Sequence, residues 1–265
     1  REFAMPTTLT LTANPFVWYE VMTSDMKASE AFYTKVIGWT AKDAGMPQGG
    51  YTLFSTGATE VAGLMPISPD AAAMGVKPCW SGYIGVPDVD AYAQRVKAEG
   101  GVVHRPPEDI PGVGRFAVVA DPQGAVFILF KGSGAPDQNP AAPGAPGTMG
   151  WHELHASDGS TAFAFYEKLF GWTKTRSMDM GPMGMYQIFS AGGADMGGMM
   201  TKVPEMPVPC WLYYFNVDAI DAAMARVTQH GGKVLMGPHQ VPGGQWILQC
   251  LDPQGAMFAL TAPKR

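Results

Sequence analysis

The chain has 265 residues with 46% hydrophobic and 15% charged side chains and a formal net charge of -5, which describes a globular chain long enough for two domains of roughly 100–200 residues. No block of Lys or Arg supplies the clustered positive charge that a nucleic acid or anionic membrane requires, and no apolar run reaches the roughly 20 residues of a bilayer span. A small-molecule partner and a cytoplasmic location are expected. Cys79, Cys210 and Cys250 form an odd set without a disulfide framework and read as buried thiols of a reducing compartment. Arg1, Glu2, Phe3 and Ala4 ahead of Met5 look like a cloning remnant.

In chain order, residues 17–22 form a β-rich run that ends at Thr23, Ser24 and Asp25, whose side chains suit the free N–H groups of a following helix. That helix runs to about Ile37 with Ala28, Ala31 and Phe32 on its apolar face, and Gly38 is placed to end it in the left-handed conformation. Strands are expected over 51–55 and 60–65. The order then restarts with a strand over 80–86, a cap at Asp88 and a helix carrying Val89, Tyr92, Ala93 and Val96 up to Gly100. Strands around 102–103, 115–120 and 125–130 follow, the last two joined by an Asp-Pro-Gln-Gly turn. The pattern is βαβββ repeated, and helices over 161–170 and 219–229 begin its return in the second half.

That return is an internal duplication. Trp18-Tyr19-Glu20 matches Trp151-His152-Glu153, Phe32-Tyr33 matches Phe165-Tyr166, and Gly38-Trp39-Thr40 matches Gly171-Trp172-Thr173. Later, Pro78-Cys79-Trp80 matches Pro209-Cys210-Trp211, and the turn beginning at Asp121 matches the turn beginning at Asp252. Domains over 16–130 and 149–262 are expected. The Gly/Pro/Ala-rich stretch 131–148 lacks core material and reads as a linker.

A strand, a capped helix ending in Phe-Tyr-x-x-x-x-Gly-Trp, then strands closing in Asp-Pro-x-Gly resembles the vicinal-oxygen-chelate superfamily, which includes glyoxalases, bleomycin-resistance proteins and extradiol dioxygenases. The resemblance covers nearly the whole chain and looks nearest to the two-domain bacterial type. It implies an α+β fold of four βαβββ modules in two tandem domains, whose curved mixed sheets form open cups with helices outside. Pairing of modules within each half and pairing between two chains of a homodimer are both compatible with the sequence.

The resemblance also implies a divalent metal held in a cup. Its first-strand ligand falls at Tyr19 and His152, the corresponding places in the other modules lie near Ser81 and Leu212, and the closing-strand ligand falls at Ile128 and Ala259. Only His152 is a metal ligand by nature, so the usual donor set is largely missing. A register shift of one residue, which moves side chains to the opposite strand face, would instead select Glu153 and Glu20. For these a structural carboxylate is the favoured reading, and a joint site of His152, Glu153 and His155 is disfavoured because adjacent strand residues face opposite ways. His152 is a candidate metal ligand, acid/base or hydrogen-bonding group, with a satisfied structural histidine as the blander alternative.

Elsewhere, His104 and His239 are expected to face solvent, and Arg115 is a weak candidate for holding an anion at a cup rim. Met178, Met180, Met183, Met185, Met196, Met199, Met200 and Met206 crowd one stretch. Flexible thioethers mould to irregular apolar ligands, so Met199 and Met200 with Trp211, Tyr213 and Tyr214 are candidate pocket residues. The expectation is a protein that binds a small, partly apolar molecule in a cup. The alternative is a metal-dependent glyoxalase-like lyase or dioxygenase-like enzyme using His152.

Overall fold

A computed structural model describes residues 14–46, 50–134 and 141–265. The residues read as a cloning remnant and positions 135–140 of the expected linker lie outside the described residues. The first half runs β1 (Phe16–Thr23), α1 (Met26–Val36), β2 (Thr40–Asp43), β3 (Thr52–Thr56), β4 (Thr59–Pro66), α2 (Pro69–Ala73), β5 (Cys79–Gly85), α3 (Val89–Ala98), β6 (Val102–Ile110), β7 (Gly114–Ala120) and β8 (Val126–Gly132). The second runs β9 (Met149–Ala156), α4 (Gly159–Phe170), β10 (Thr173–Asp179), β11 (Met185–Ser190), β12 (Asp195–Thr201), β13 (Cys210–Asn216), α5 (Ile220–Gln229), β14 (Lys233–Gln240), β15 (Trp246–Leu251) and β16 (Met257–Ala262), with a short 3-10 turn at Gly181–Met183. The α+β class and the four-module architecture are therefore present. The short helix α2 was not visible in the sequence pattern.

Modules pair within each half. The strand orders are β2-β3-β4-β1-β5-β8-β7-β6 and β10-β11-β12-β9-β13-β16-β15-β14, so two four-stranded modules join in one eight-stranded mixed sheet through the antiparallel pairs β1 with β5 and β9 with β13. Local chemistry fixes the elements that lead into this join. Asp25, Asp88 and Asp158 each accept a backbone N–H in the first turn of the helix they precede. Gly38 and Gly171 adopt positive φ of 91° and 70° just beyond α1 and α4, where a side chain would be strained.

The backs of the two sheets meet through aromatic residues, and the repeated motifs hold them there. Tyr33 on α1 donates to Asp252 of the opposite half at 2.9 Å and accepts from Trp80 at 2.8 Å. Tyr166 on α4 does the same in mirror order, donating to Asp121 at 2.9 Å and accepting from Trp211 at 3.1 Å. Each aspartate also accepts the backbone N–H groups of the Gln in its own Asp-Pro-Gln-Gly turn and of the alanine that follows. Trp39 donates to the Gly147 carbonyl and Trp172 to the Asn14 carbonyl, each across the join. The end of the expected linker is thus docked, with Gly147 also donating to the Asn216 carbonyl.

Candidate functional site in the second cup

On β9 the side chains alternate. Trp151, Glu153 and His155 line the side facing away from the helices, whereas Leu154 lies in the core between the halves. The second cup holds a cavity of about 1390 Å3, larger than the roughly 300–1,000 Å3 common for small-molecule sites. Its walls include Met178, Met180, Met183, Met196, Met200 and Met206 together with Trp151, Ile247 and Met257. A thioether-rich wall adapts its shape at low cost because it carries several soft torsions.

Glu153 forms the polar floor and is only 7% exposed. Tyr186 donates to its Oε2 at 2.9 Å, Tyr214 to its Oε1 at 2.9 Å, and Gln249 Nε2 to Oε1 at 3.3 Å. His155 Nε2 also lies 2.8 Å from Oε1, a close pairing whose N–H points off the direct line. Burial pushes the Glu153 carboxyl up, but His155 and the Tyr186 and Tyr214 hydroxyls outweigh it and leave the group below its ordinary range. Trp151 Nε1 donates to Tyr186 at 2.8 Å and Gln249 Nε2 to Tyr214 at 2.7 Å, so the two phenols are held from behind. Tyr186 reaches the carboxylate by lying across Gly198, where any Cβ would collide with its ring.

The first cup repeats the core of this network. Tyr83 donates to Glu20 at 2.9 Å, Tyr51 also bonds Glu20, and Trp18 donates to Tyr51 at 3.1 Å across Gly63. Two places differ. Met22 stands where the second half has His155, and Val118 stands where it has Gln249. Glu20 is accordingly pushed up by burial, with its tyrosines only partly offsetting the shift.

His152 lies at the join between the halves, where with Phe16 and Tyr19 it also borders the cavity. Its Nε2 is 2.6 Å from the Tyr19 hydroxyl, its Nδ1 is 2.6 Å from the Met196 carbonyl, and its ring stacks on Phe16 at 4.3 Å. Burial pushes its pKa down to about 4, favouring the neutral ring. The Met196 carbonyl can only accept, so Nδ1 carries the N–H, and coordination through Nε2 would require displacing the Tyr19 hydroxyl. The strand partners of Glu153, Leu212 on β13 and Gly198 on β12, carry no metal-binding group, and neither does Ala259 beside Tyr214. Among the described residues no group of three His, Cys, Asp or Glu is placed to hold a metal ion.

Of the pocket candidates, Tyr214 and Met200 line the cavity. Trp211, Tyr213 and Met199 belong to the core between the halves, because alternation sends odd-numbered β13 residues and Met199 to the opposite face. Arg115 makes a two-pronged pair with Asp90 and a further bond to Asp109, which neutralises its charge locally. Cys210 and Cys250 are pushed up by burial to about 11 and about 12, so both are protonated, unreactive thiols near neutrality. His104 and His239 are exposed. Sequence reasoning overlooked Gln249, Tyr186 and the cavity-facing role of His155; the substitution of Val118 by Gln249 between otherwise matching halves was the available signal.

Comparison with known proteins agrees with this architecture. The family model for the Glyoxalase/Bleomycin resistance protein/Dioxygenase superfamily matches residues 16–129 and again 148–260. A Mycobacterium tuberculosis protein provisionally named glyoxylase CFP32 is 36% identical over 93% of this chain and 94% of its own length. The anthracycline biosynthesis protein DnrV of Streptomyces peucetius is 32% identical over 92% of this chain and 91% of its own. Among solved structures, the Mn(II)-bound glyoxalase from Novosphingobium aromaticivorans aligns with a TM-score of 0.65 at 18% identity, covering 96% of this chain and 82% of that one. The 2,3-dioxygenase LapB from Pseudomonas sp. KL28 aligns at 0.66 and 15% identity, covering 96% and 93%. At such identities the structural likeness speaks for the fold alone. With its family model met once in each half, the chain belongs to the glyoxalase, bleomycin-resistance and dioxygenase superfamily.

Proposed function

We propose that this protein binds a small, largely apolar and aromatic molecule in the second cup, and that it does so without the superfamily's metal. The observation that carries the reading is the methionine-rich cavity of about 1390 Å3 that contains the buried polar cluster around Glu153. Apolar walls supply most of the binding free energy, and a few fixed polar groups set orientation. The floor donors converge on Glu153 itself, which leaves little capacity for a cation, and Leu212, Gly198 and Ala259 offer none. The relatives named for anthracycline biosynthesis suggest a planar polycyclic ligand.

The test is titration with 2-methoxyanthraquinone, followed by quenching of tryptophan fluorescence and by calorimetry, since Trp151 lines the cavity. Saturable binding at one site per chain with micromolar affinity is expected. No saturation, or two equivalent sites per chain, would sink the reading. Elemental analysis after supplementation with divalent metals completes the test: stoichiometric metal that is lost in Glu153→Ala would replace the proposal with a metal-dependent enzyme.

A further inference from the structure

The polar floor of the second cup has an unbalanced set of hydrogen-bonding valences. A carboxylate accepts about four hydrogen bonds. Glu153 already takes those of Tyr186, Tyr214 and Gln249 and the close pairing of His155. The tyrosine hydroxyl protons are spent on the same carboxylate, and the Gln249 amide hydrogens are directed at Glu153 and Tyr214, which leaves the Gln249 carbonyl oxygen as an acceptor. In the neutral imidazole whose single proton sits on the Nε2 beside the Glu153 carboxylate, Nδ1 carries the lone pair. Neither ring nitrogen of His155 is exposed or meets a hydrogen-bond partner in good geometry among the described residues, although Nε2 lies close to Glu153. Such an orphaned buried acceptor costs free energy that a suitable ligand recovers. His155 is 5% exposed and belongs to the cavity wall.

We propose that His155 selects ligands bearing a hydrogen-bond donor, specifically an aromatic hydroxyl, which donates to His155 Nδ1 at the floor of the second cavity. This rests on the cavity being a binding site for an apolar aromatic molecule. A second observation supports it independently. The two acceptors occur only in the half that holds this cavity, because the matching positions in the first half are Met22 and Val118. Glu153 acts through the imidazole, holding Nε2 so that the lone pair rather than an N–H is offered to the ligand. Gln249 supplies a further acceptor beside it.

The experiment compares 2-hydroxyanthraquinone with 2-methoxyanthraquinone, which has nearly the same shape but no donor, on the intact wild-type chain and on His155→Met, the residue found at the equivalent place in the first half. One net buried hydrogen bond predicts about tenfold tighter binding of the hydroxyl compound to the wild type. In His155→Met this preference falls to about onefold, whatever change in affinity the two compounds share. His155→Phe serves the same comparison if the methionine variant does not give a native circular dichroism spectrum. On the wild type, the 15N resonance of His155 Nδ1 moves upfield with the hydroxyl compound and stays in place with the methoxy compound. Equal affinities, a preference for the methoxy compound, or a hydroxyl preference that survives in the variants overturns the role of His155 while leaving the cavity reading intact. Failure of both compounds to bind overturns the cavity reading and this inference together.

Discussion

The two halves share a fold, a Trp-Tyr-Glu network and the motifs that join them, yet they treat the same space differently. In the first cup Phe116, Ile128 and Phe130 pack with Tyr83 and Trp18 into a hydrophobic cluster. The matching residues in the second are Ile247, Ala259 and Thr261, and the side-chain volume given up there coincides with the large cavity. The same register differences exchange Met22 for His155 and Val118 for Gln249. Apolar filling and an open, partly polar cavity are therefore alternative states of one scaffold, decided by a handful of inward-facing positions. The shared carboxylate serves chiefly as architecture, since it persists in the cup where Phe116, Ile128 and Tyr83 cluster.

This comparison is most sharply broken at the carboxylates. Glu153→Ala removes the acceptor for three buried hydrogen-bond donors and should cost about 3–5 kcal/mol in urea unfolding. Glu20→Ala, with two tyrosine partners, should cost about 2–3 kcal/mol by the same accounting. Equal losses would mean that His155 and Gln249 add nothing to the network. Next in size, the combined replacement Ile247→Phe, Ala259→Ile and Thr261→Phe gives the second cup the filling of the first. Binding of 2-methoxyanthraquinone should fall at least about a hundredfold by calorimetry while the fold is kept, since overpacking typically costs about 1–3 kcal/mol. Unchanged affinity would place the ligand elsewhere.

The smallest effect is one of sign. Glu153 titrates below its unfolded value, near 4.3, so its contribution to stability is full above that value and is lost as pH falls through the folded pKa. Glu20 titrates above its unfolded value, so its contribution is full below about 4.3 and is lost as pH rises through the folded pKa. Between pH 4 and pH 7, Glu153→Gln should grow more destabilising and Glu20→Gln less so, each by about 1 kcal/mol or under. Parallel shifts in urea denaturation at the two pH values would contradict the opposite settings of the two carboxyls.

Much of the fold was legible because duplication doubled every signal: caps at Asp25 and Asp158, helix-ending Gly38 and Gly171, and the paired Asp-Pro-Gln-Gly turns. The facing of β9 was harder to read. In Trp151-His152-Glu153-Leu154-His155 both strand faces are buried, so hydropathy does not alternate cleanly and cannot tell which face meets the cup. The resemblance placed the metal position at His152, whereas Glu153 is the residue on the floor. The methionine-rich stretch pointed to the region of the cavity, but the split of Met200 from Met199 depends on strand phase. Nor could a linear pattern show that Tyr33 seeks Asp252 and Tyr166 seeks Asp121, partners 219 and 45 residues away along the chain.

That reciprocal clasp has a consequence for how the molecule comes apart. Each half satisfies buried groups of the other: a helix tyrosine enters the opposite turn, and a tryptophan bonds the strand entry across the join. Neither half keeps its own core closed when its neighbour opens. The covalent duplication therefore behaves as a built-in pseudo-dimer, with a single cooperative melting transition in place of two, and a backbone cut between the halves leaves one particle held by contacts alone.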